Sequence, residues 1–213
     1  MKLDPAILRV LNDPATVLLM RHGEAAPYWS PDAQTLALRF DPHDTRMLTA
    51  AGERQAERAA QWLTRTLDGP PPLVVSSALL RARQTALLVA AGVGAASPAF
   101  DARLNELGHG AVPEGCDALA LAIDALEAHH TIARREGRML VAITHADILF
   151  ELAAELRPWS EEIPEEERAL ELALAAMGLD SHGGTQLDAG HAHCHITALR
   201  DNIVRIWNLP TEG

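Results

Sequence analysis

Cysteine is scarce in this chain of 213 residues, which contains only Cys116 and Cys194. Two cysteines this far apart form no disulfide framework, and their spacing alone matches no zinc motif. Aromatic residues are also few, at 4% of the chain, whereas alanine is its most frequent residue. The core is therefore predicted to consist of Leu, Val, Ile and Ala, and the alanine content favours helices. The low cysteine content favours a reducing compartment.

Basic residues are outnumbered, because 18 Lys and Arg stand against 29 Asp and Glu, a formal net charge of -11. Binding to nucleic acid needs clustered basic side chains that neutralise phosphates, so we expect no nucleic-acid partner. A small phosphorylated substrate is compatible with this composition, because a pocket can be locally positive on an acidic protein.

Long apolar runs are missing as well. The longest, 86–96, is interrupted by Gly92 and Gly94 and is too short to cross a membrane. Residues 1–5 do not have the basic and then apolar profile of a signal peptide. We therefore expect a cytoplasmic protein without a membrane partner; the sequence leaves its oligomeric state open.

Short apolar runs alternate with helical patterns along the chain. The runs 16–20, 73–75 and 139–143 have the composition of parallel strands buried on both faces. Helices are predicted at 50–67, 78–91, 118–135 and 146–156. The predicted N-terminal caps of the first three are Thr49, the pair Ser76 and Ser77, and Asp117. This alternation predicts one α/β domain over 1–213, a three-layer α/β/α sandwich with a mostly parallel central sheet.

The remaining elements are less regular. A short strand is predicted near 99–104, an acidic helix at 164–178, and two strands at 193–199 and 202–207. Residues 25–47 lack periodicity and contain three prolines, which predicts a long loop of the kind that often carries function.

Chemically useful side chains follow each of the three buried strands. Arg21 and His22 end the first, Arg81 comes soon after the second, and His145 follows the third. Because ligands bind outside the carboxyl ends of the strands in an open α/β sheet, these side chains are predicted to share one crevice. Two guanidinium groups and two imidazoles suit a phosphoryl group. Gly23 permits close backbone approach, and a carbonyl there can fix the tautomer of the His22 ring.

These residues lie in segments that resemble the histidine phosphatase superfamily, which includes the cofactor-dependent phosphoglycerate mutases. The segments occur in the family's order: Leu18–Glu24 with Arg-His-Gly, Leu48–Gly52, Ser76–Thr85, Leu104–Glu106 and Ile143–His145. Arg-His-Gly alone is a weak signal, but five ordered segments over about 130 residues are specific.

The resemblance implies a role for each matching residue. His22 resembles the nucleophile that forms a phosphohistidine. Arg21, Arg81 and His145 resemble the residues that hold the phosphate, and Glu106 resembles the proton donor to the leaving group. No organic cofactor and no metal is implied. Neighbouring arginine charges favour a neutral His22, which is a competent nucleophile.

Two carboxylates have alternative assignments in the sequence. Asp147 is a rival proton donor, because a related branch of the superfamily has an aspartate directly after the second histidine. Ala146 intervenes here, so Glu106 is preferred. Glu24 has two equally supported interpretations: a residue that tunes the phosphate pocket, or an ordinary loop carboxylate.

The chain also departs from the family pattern. No asparagine follows Glu24 in the stretch 25–30, where mutases place one that touches the phosphate. The segment 44–49 around Arg46 is similar to the small phosphohistidine phosphatases of the superfamily. The sequence therefore predicts a phosphomonoester hydrolase. Three alternatives stay open: a protein phosphohistidine phosphatase, a phosphoglycerate mutase-type phosphotransferase and a phosphate-binding module without turnover.

Three histidines near the carboxyl end offer a separate hypothesis. His191, His193 and His195 alternate, so a strand would place them on one face, with Cys194 and His182 nearby. Alternate neighbours on one strand rarely converge on a single ion, so an edge strand or the rim of the crevice is the preferred interpretation.

Overall fold

The computed structural model describes residues 8, 12–14, 16–26, 46–106, 117–155, 194–200 and 203–209. The elements in chain order are β1 (Thr16–Arg21), α1 (Ala50–Thr66), β2 (Leu73–Ser76), α2 (Leu80–Gly92), β3 (Ala99–Phe100), a 3-10 turn (Ala102–Leu104), α3 (Ala118–Arg135), β4 (Leu140–Thr144), α4 (Ala146–Glu155), β5 (Cys194–Arg200) and β6 (Ile203–Leu209). The predicted acidic helix at 164–178 lies outside these residues.

The strands form one sheet in the order β3-β2-β4-β1-β5-β6. Strands β1, β2, β3 and β4 are parallel, whereas β5 and β6 are antiparallel to their neighbours. The predicted mostly parallel α/β sheet is confirmed. Both C-terminal strands exist, each shifted by one or two residues from its predicted position.

Alternation along β1 explains why helices cover both faces of the sheet. Leu18 and Met20 join a buried cluster with α1 and α2, while Val17 and Leu19 join a second cluster with α3 and α4. All four are fully buried, and each such side chain contributes about 1.5–3 kcal/mol relative to its exposed state. A strand apolar on both faces needs a helical layer on each, so the predicted three-layer arrangement is confirmed.

Two of the predicted helix caps are confirmed and one is wrong. The hydroxyl of Thr49 accepts from the Gly52 amide at 3.1 Å, and the carboxylate of Asp117 accepts from the Leu119 amide at 2.9 Å. The pair Ser76 and Ser77 does not cap a helix at 78, because β2 continues to Ser76 and α2 begins only at Leu80.

Strand register brings the carboxyl ends of β1, β2 and β4 into line. Arg21 pairs with Thr144, and Ser76 pairs with Ile143. The ladder continues for one more residue, since the amide of His22 donates to the carbonyl of Thr144 at 3.0 Å. The residues that follow these three strands therefore emerge at one edge of the sheet. None of the described helices is long and apolar enough to span a membrane.

Candidate active site

His22 emerges from β1 with its ring held at both nitrogens. Nδ1 lies 2.6 Å from the carbonyl oxygen of Gly23, which can only accept, so Nδ1 carries the proton. Nε2 accepts from Nε of Arg81 at 3.1 Å, so it holds a lone pair. The ring is buried, at 6% exposure. These contacts define a neutral imidazole whose unprotonated nitrogen faces a cation.

Gly23 is required by close backbone approach. A Cβ there would lie 2.5 Å from the carbonyl oxygen of Gly52 in the first turn of α1. The amide of Gly23 also donates to the hydroxyl of Thr85 at 3.0 Å, and that hydroxyl donates to the carbonyl of Arg81 at 2.8 Å. The chain after His22 thus packs against α1 and is hydrogen-bonded to α2, which is the close backbone approach predicted for Gly23; its predicted part in substrate binding stays a prediction.

Arg81 connects the other site residues from the first turn of α2, where its side chain is fully buried. Besides His22, its Nη2 donates to Oε2 of Glu106 at 2.6 Å and to Nδ1 of His145 at 3.2 Å. One guanidinium group therefore contacts both histidines and the predicted proton donor. Its planar fork can present two parallel donors to an anionic oxygen pair.

His145 follows β4 and is completely buried. Its ring centroid lies 5.1 Å from that of His22, with an interplanar angle of 59°. While Nδ1 accepts from Arg81, Nε2 lies 2.8 Å from the hydroxyl of Ser77. The two histidines thus flank the same guanidinium group.

Glu106 follows the 3-10 turn and is partly exposed, at 26% of its side chain. Its Oε2 also lies 3.5 Å from Nη2 of Arg46, which arrives from the segment before α1. The carboxylate therefore lies at the open side of the buried Arg81, between two guanidinium groups.

Arg21 and Asp147 belong to the same electrostatic neighbourhood. Burial lowers the pKa of Arg21 from its ordinary value; Glu106 and Asp147 oppose this shift, while the charges of Arg81 and Arg46 add to it. Asp147 lies in the first turn of α4, where its Oδ1 accepts from the Ile148 amide at 2.8 Å.

Glu24 contacts the start of α1. Its Oε1 accepts from the hydroxyl of Thr49 at 2.6 Å, and its amide donates to the side chain of Gln55 at 2.8 Å. These contacts tie the segment after His22 to the helix cap, which matches the loop-carboxylate interpretation; its predicted role in substrate binding stays a prediction.

The predicted site residues largely converge. His22, Arg81, His145 and Glu106 form one connected cluster, and Arg21 interacts electrostatically with it. Arg46 and Asn105 were not predicted as site residues, although both lie in segments that carry the family resemblance. Ser77 was predicted in a different role. Nothing in the local sequence of these residues indicates their partners.

Metal ligation was the separate hypothesis for the C-terminal histidines. Among the described residues, no three or more His, Cys, Asp or Glu side chains are arranged so that they could hold a metal ion together. His191 and His193, and the side chain of His195, lie outside the described residues, so the hypothesis concerning them stays a prediction.

The cluster has the chemistry of an anion site with a nucleophile. Three guanidinium groups supply positive charge, His22 supplies an unprotonated nitrogen, and Glu106 supplies a carboxyl group beside them. A tetrahedral oxyanion bound to such groups would be neutralised by them and held next to a nucleophile.

Several solved structures have a fold similar to that of this chain. The protein histidine phosphatase SixA, complexed with tungstate, is 20% identical with a TM-score of 0.60, covering 92% of this chain and 97% of that one. A mycobacterial glucosyl-3-phosphoglycerate phosphatase is 21% identical with a TM-score of 0.53, covering 92% and 97%. A phosphoserine phosphatase of Entamoeba histolytica is 17% identical with a TM-score of 0.52, covering 92% and 98%. At these identities the likeness shows the fold.

The family itself is shown by sequence. No curated protein matches the chain. The model of the histidine phosphatase superfamily (branch 1) matches residues 17–185, which is most of the chain and includes His22, Arg81, Glu106 and His145. The chain therefore belongs to the histidine phosphatase superfamily.

Proposed function

We propose that this protein hydrolyses phosphomonoesters through a phosphohistidine intermediate on His22, with Glu106 as the proton donor. The observation that carries the proposal is the state of the His22 ring, whose Nδ1 proton is bound to Gly23 and whose Nε2 lone pair lies against Arg81. A histidine in this state can attack an electrophile once the bound anion takes over the hydrogen bond that Arg81 donates to Nε2.

In the first half of the reaction, Nε2 of His22 attacks phosphorus and the bond from phosphorus to the ester oxygen breaks. Arg81, Arg21 and His145 would hold the phosphoryl oxygens as negative charge spreads over them. The leaving oxygen needs a proton, which Glu106 in its protonated form would supply from its partly exposed position beside the buried Arg81.

In the second half, water attacks the phosphohistidine, and the phosphorus–nitrogen bond breaks. The carboxylate of Glu106, having lost its proton, takes one from this water. Inorganic phosphate leaves, and both His22 and Glu106 return to their starting states. No oxidant, reductant or organic cofactor is needed for this balance.

A second candidate function is hydrolysis of phosphohistidine in a protein. The position of Arg46 supports it: the segment around this residue is similar to the small phosphohistidine phosphatases, and its guanidinium group lies 3.5 Å from Glu106. SixA, a protein histidine phosphatase, also has a similar fold. A nitrogen leaving group would make different demands on Glu106 than an alkoxide.

We also propose a cytoplasmic location, which the low cysteine content supports. The cationic cluster around Arg81 supports a small phosphorylated substrate. A mutase-type activity is less well supported, because no asparagine follows Glu24 in the stretch 25–30.

The experiment traps the intermediate. Wild-type protein is mixed rapidly with radiolabelled phosphomonoester, quenched and denatured, and the label on the protein is tested for lability in acid and stability in base. His22→Gln should lose the label and lose turnover by several orders of magnitude.

The matched control is His130→Gln. His130 has the same 6% exposure as His22, but its Nε2 contacts the carbonyl of Pro14 on α3's side of the sheet, a contact that a glutamine amide can also make. This variant should retain label and turnover, with or without a chelator. Substantial turnover in His22→Gln would contradict the proposed nucleophile.

A further inference from the structure

Ser77 is the centre of a buried hydrogen-bond network in which it joins Asn105 to His145, and neither Ser77 nor Asn105 has a part in the proposed reaction. Its Oγ has three partners: the amide of Leu79 at 3.1 Å, Oδ1 of Asn105 at 2.8 Å and Nε2 of His145 at 2.8 Å. A hydroxyl group has one proton and two lone pairs, so three partners use its full capacity. The direction of each bond therefore follows from the others.

Asn105 receives the proton of the serine. Its Oδ1 also accepts from the amide of Ala78 at 2.9 Å, and this backbone donor fixes which side-chain atom is the oxygen. An amide oxygen cannot donate, so the Oγ of Ser77 must donate to it. The Leu79 amide donates to one lone pair of Ser77, and the remaining lone pair is left for His145.

His145 consequently carries a proton on Nε2, since its partner there is an acceptor. Its other nitrogen, Nδ1, accepts from the guanidinium group of Arg81, which can only donate. Ser77 and His145 are fully buried, and Asn105 is 9% exposed, so water does not replace these partners readily.

We propose that Ser77 and Asn105 are positioning residues that hold His145 in the Nε2-protonated tautomer, so that the ring gains and loses its proton only at Nδ1. That nitrogen faces Arg81 on α2, close to His22 on β1 and Glu106 beyond the guanidinium group. Resting on the proposed function, this arrangement acts when a bound phosphoryl group draws the donors of Arg81 away from Nδ1. That nitrogen then takes up a proton from solvent and donates it in a hydrogen bond to a phosphoryl oxygen. Without a bound anion, a proton on Nδ1 would point at the donors of Arg81, so the resting ring keeps its proton on Nε2.

The test reads the tautomer directly by nitrogen NMR. Protein labelled at histidine nitrogens is compared with His145→Gln to assign the ring, with and without inorganic phosphate. We expect Nε2 to be protonated and Nδ1 unprotonated in the protein alone. With phosphate, Nδ1 should gain a proton while Nε2 keeps its own.

Two substitutions distinguish a positioning role of the Ser77 hydroxyl from a general structural role of the serines at the end of β2. Ser77→Ala should lower the ratio of the Nε2-protonated to the Nδ1-protonated tautomer by about 5-fold, the worth of one hydrogen bond, and lower kcat by a similar factor with little change in KM. Ser76→Ala is the matched control. Ser76 is equally buried in β2, but its hydroxyl donates to the carbonyl of Ser77 and not to the histidine, so tautomer and kcat should stay unchanged.

Either of two results overturns the proposal: an unprotonated Nε2 in the wild-type ring, or the same tautomer ratio in Ser77→Ala as in Ser76→Ala. If Ser77→Ala fails to fold, the wild-type spectrum still decides the tautomer, and Asn105→Ala replaces it as the variant. Because the tautomer is read without substrate, a protein that lacks phosphatase activity but shows the expected ring state would contradict the proposed function and leave this proposal standing.

Discussion

Nε of Arg81 lies 3.1 Å from Nε2 of His22, so a buried cation donates a hydrogen bond to the nitrogen that we propose as the nucleophile. The bond uses the lone pair that would attack phosphorus. Protonating the ring at that nitrogen requires breaking the contact with Arg81. The arginine therefore both preserves the reactive form of the histidine and occupies the position from which it can receive an anion.

The first prediction changes the geometry of this cation and keeps its charge. A lysine at position 81 cannot reach His22, Glu106 and His145 together, because an ammonium group lacks the planar fork of a guanidinium group. Arg81→Lys should lower kcat/KM by about 10²-fold, the scale of a lost electrostatic donor in the transition state. Inhibition by vanadate, which mimics the pentacoordinate phosphorus, should weaken in parallel.

Arg83→Lys is the control for that change, since Arg83 lies two residues further along α2, is exposed, and stacks over the ring of Phe100 at 4.6 Å. Its activity should match wild type. Equal vanadate potency in Arg81→Lys and Arg83→Lys would remove Arg81 from the anion site.

The second prediction concerns the backbone beside the nucleophile. Gly23→Ala places a Cβ 2.5 Å from the Gly52 carbonyl, and neither backbone can move without shifting β1 or α1. We expect a loss of about 1–3 kcal/mol in the free energy of unfolding, as for other overpacked sites. Turnover should fall as well, because the Gly23 carbonyl orients the His22 ring. Urea titration and steady-state kinetics measure the two effects.

A glycine in open space provides the comparison. A Cβ added at Gly94 would meet no other atom within 4 Å, but the φ of this residue is +66°, so Gly94→Ala incurs only a backbone cost of about 1 kcal/mol. Its activity should not change. If both substitutions left kcat unaltered, the close approach at Gly23 would not matter for catalysis.

Much of the fold and of the candidate site could be predicted because the signals are local. Apolar runs identified β1, β2 and β4, and the carboxyl-end rule then placed His22, Arg81 and His145 together. Glu106 was assigned from the family resemblance.

The errors and omissions share a physical cause, since they depend on contacts between residues far apart in sequence. In the sequence, a serine that follows a strand resembles a helix cap. Only the hydrogen bonds of Ser77 to Asn105 and His145 show that its hydroxyl lies at the carboxyl ends of the strands instead. The contact of Arg46 with Glu106 joins segments without periodicity, so no pattern along the chain could predict it.

The third prediction concerns stability in acid. The side-chain hydrogen bonds of Arg103 lower the pKa of Asp101 to about 2, and His129 binds the same carboxylate at 3.0 Å. A carboxylate with a lowered pKa stabilises the fold above its ordinary pKa and loses that contribution as the pH falls. After a discount for the partial exposure of Asp101, its ion pair with Arg103 contributes about 1 kcal/mol to the free energy of unfolding at neutral pH. This contribution should fall to about half by pH 3.

Asp101→Asn tests the third prediction by urea titration from pH 6 to pH 3. The stability difference from wild type should be largest at pH 6 and shrink towards pH 3. Asp117→Asn is the matched control, because Asp101 and Asp117 each accept a hydrogen bond from the backbone amide two residues further on, and asparagine is an equally good cap. A difference for Asp101→Asn that does not change with pH would contradict the role of the ion pair.

The fourth prediction compares the two carboxylates as proton donors. Glu106 lies beside Arg81 at the exposed side of the cluster, whereas Oδ1 of Asp147 accepts from a backbone amide of α4, which an asparagine can also do. Glu106→Gln should therefore lower kcat by about 10²–10⁴ on alkyl phosphates, the usual worth of general acid catalysis. On para-nitrophenyl phosphate, whose phenolate leaves almost unaided, the loss should be far smaller.

Asp147→Asn makes the same change of carboxylate to amide at the rival position, and its loss should be mild and equal on both substrates. Measuring kcat for wild type and both variants on an alkyl phosphate and on para-nitrophenyl phosphate gives four ratios. The reverse pattern would assign the proton transfer to Asp147. A flat response of Glu106→Gln, together with slow turnover of alkyl phosphates by wild type, would favour phosphohistidine as the substrate, because the nitrogen leaving group does not depend on this acid in the same way.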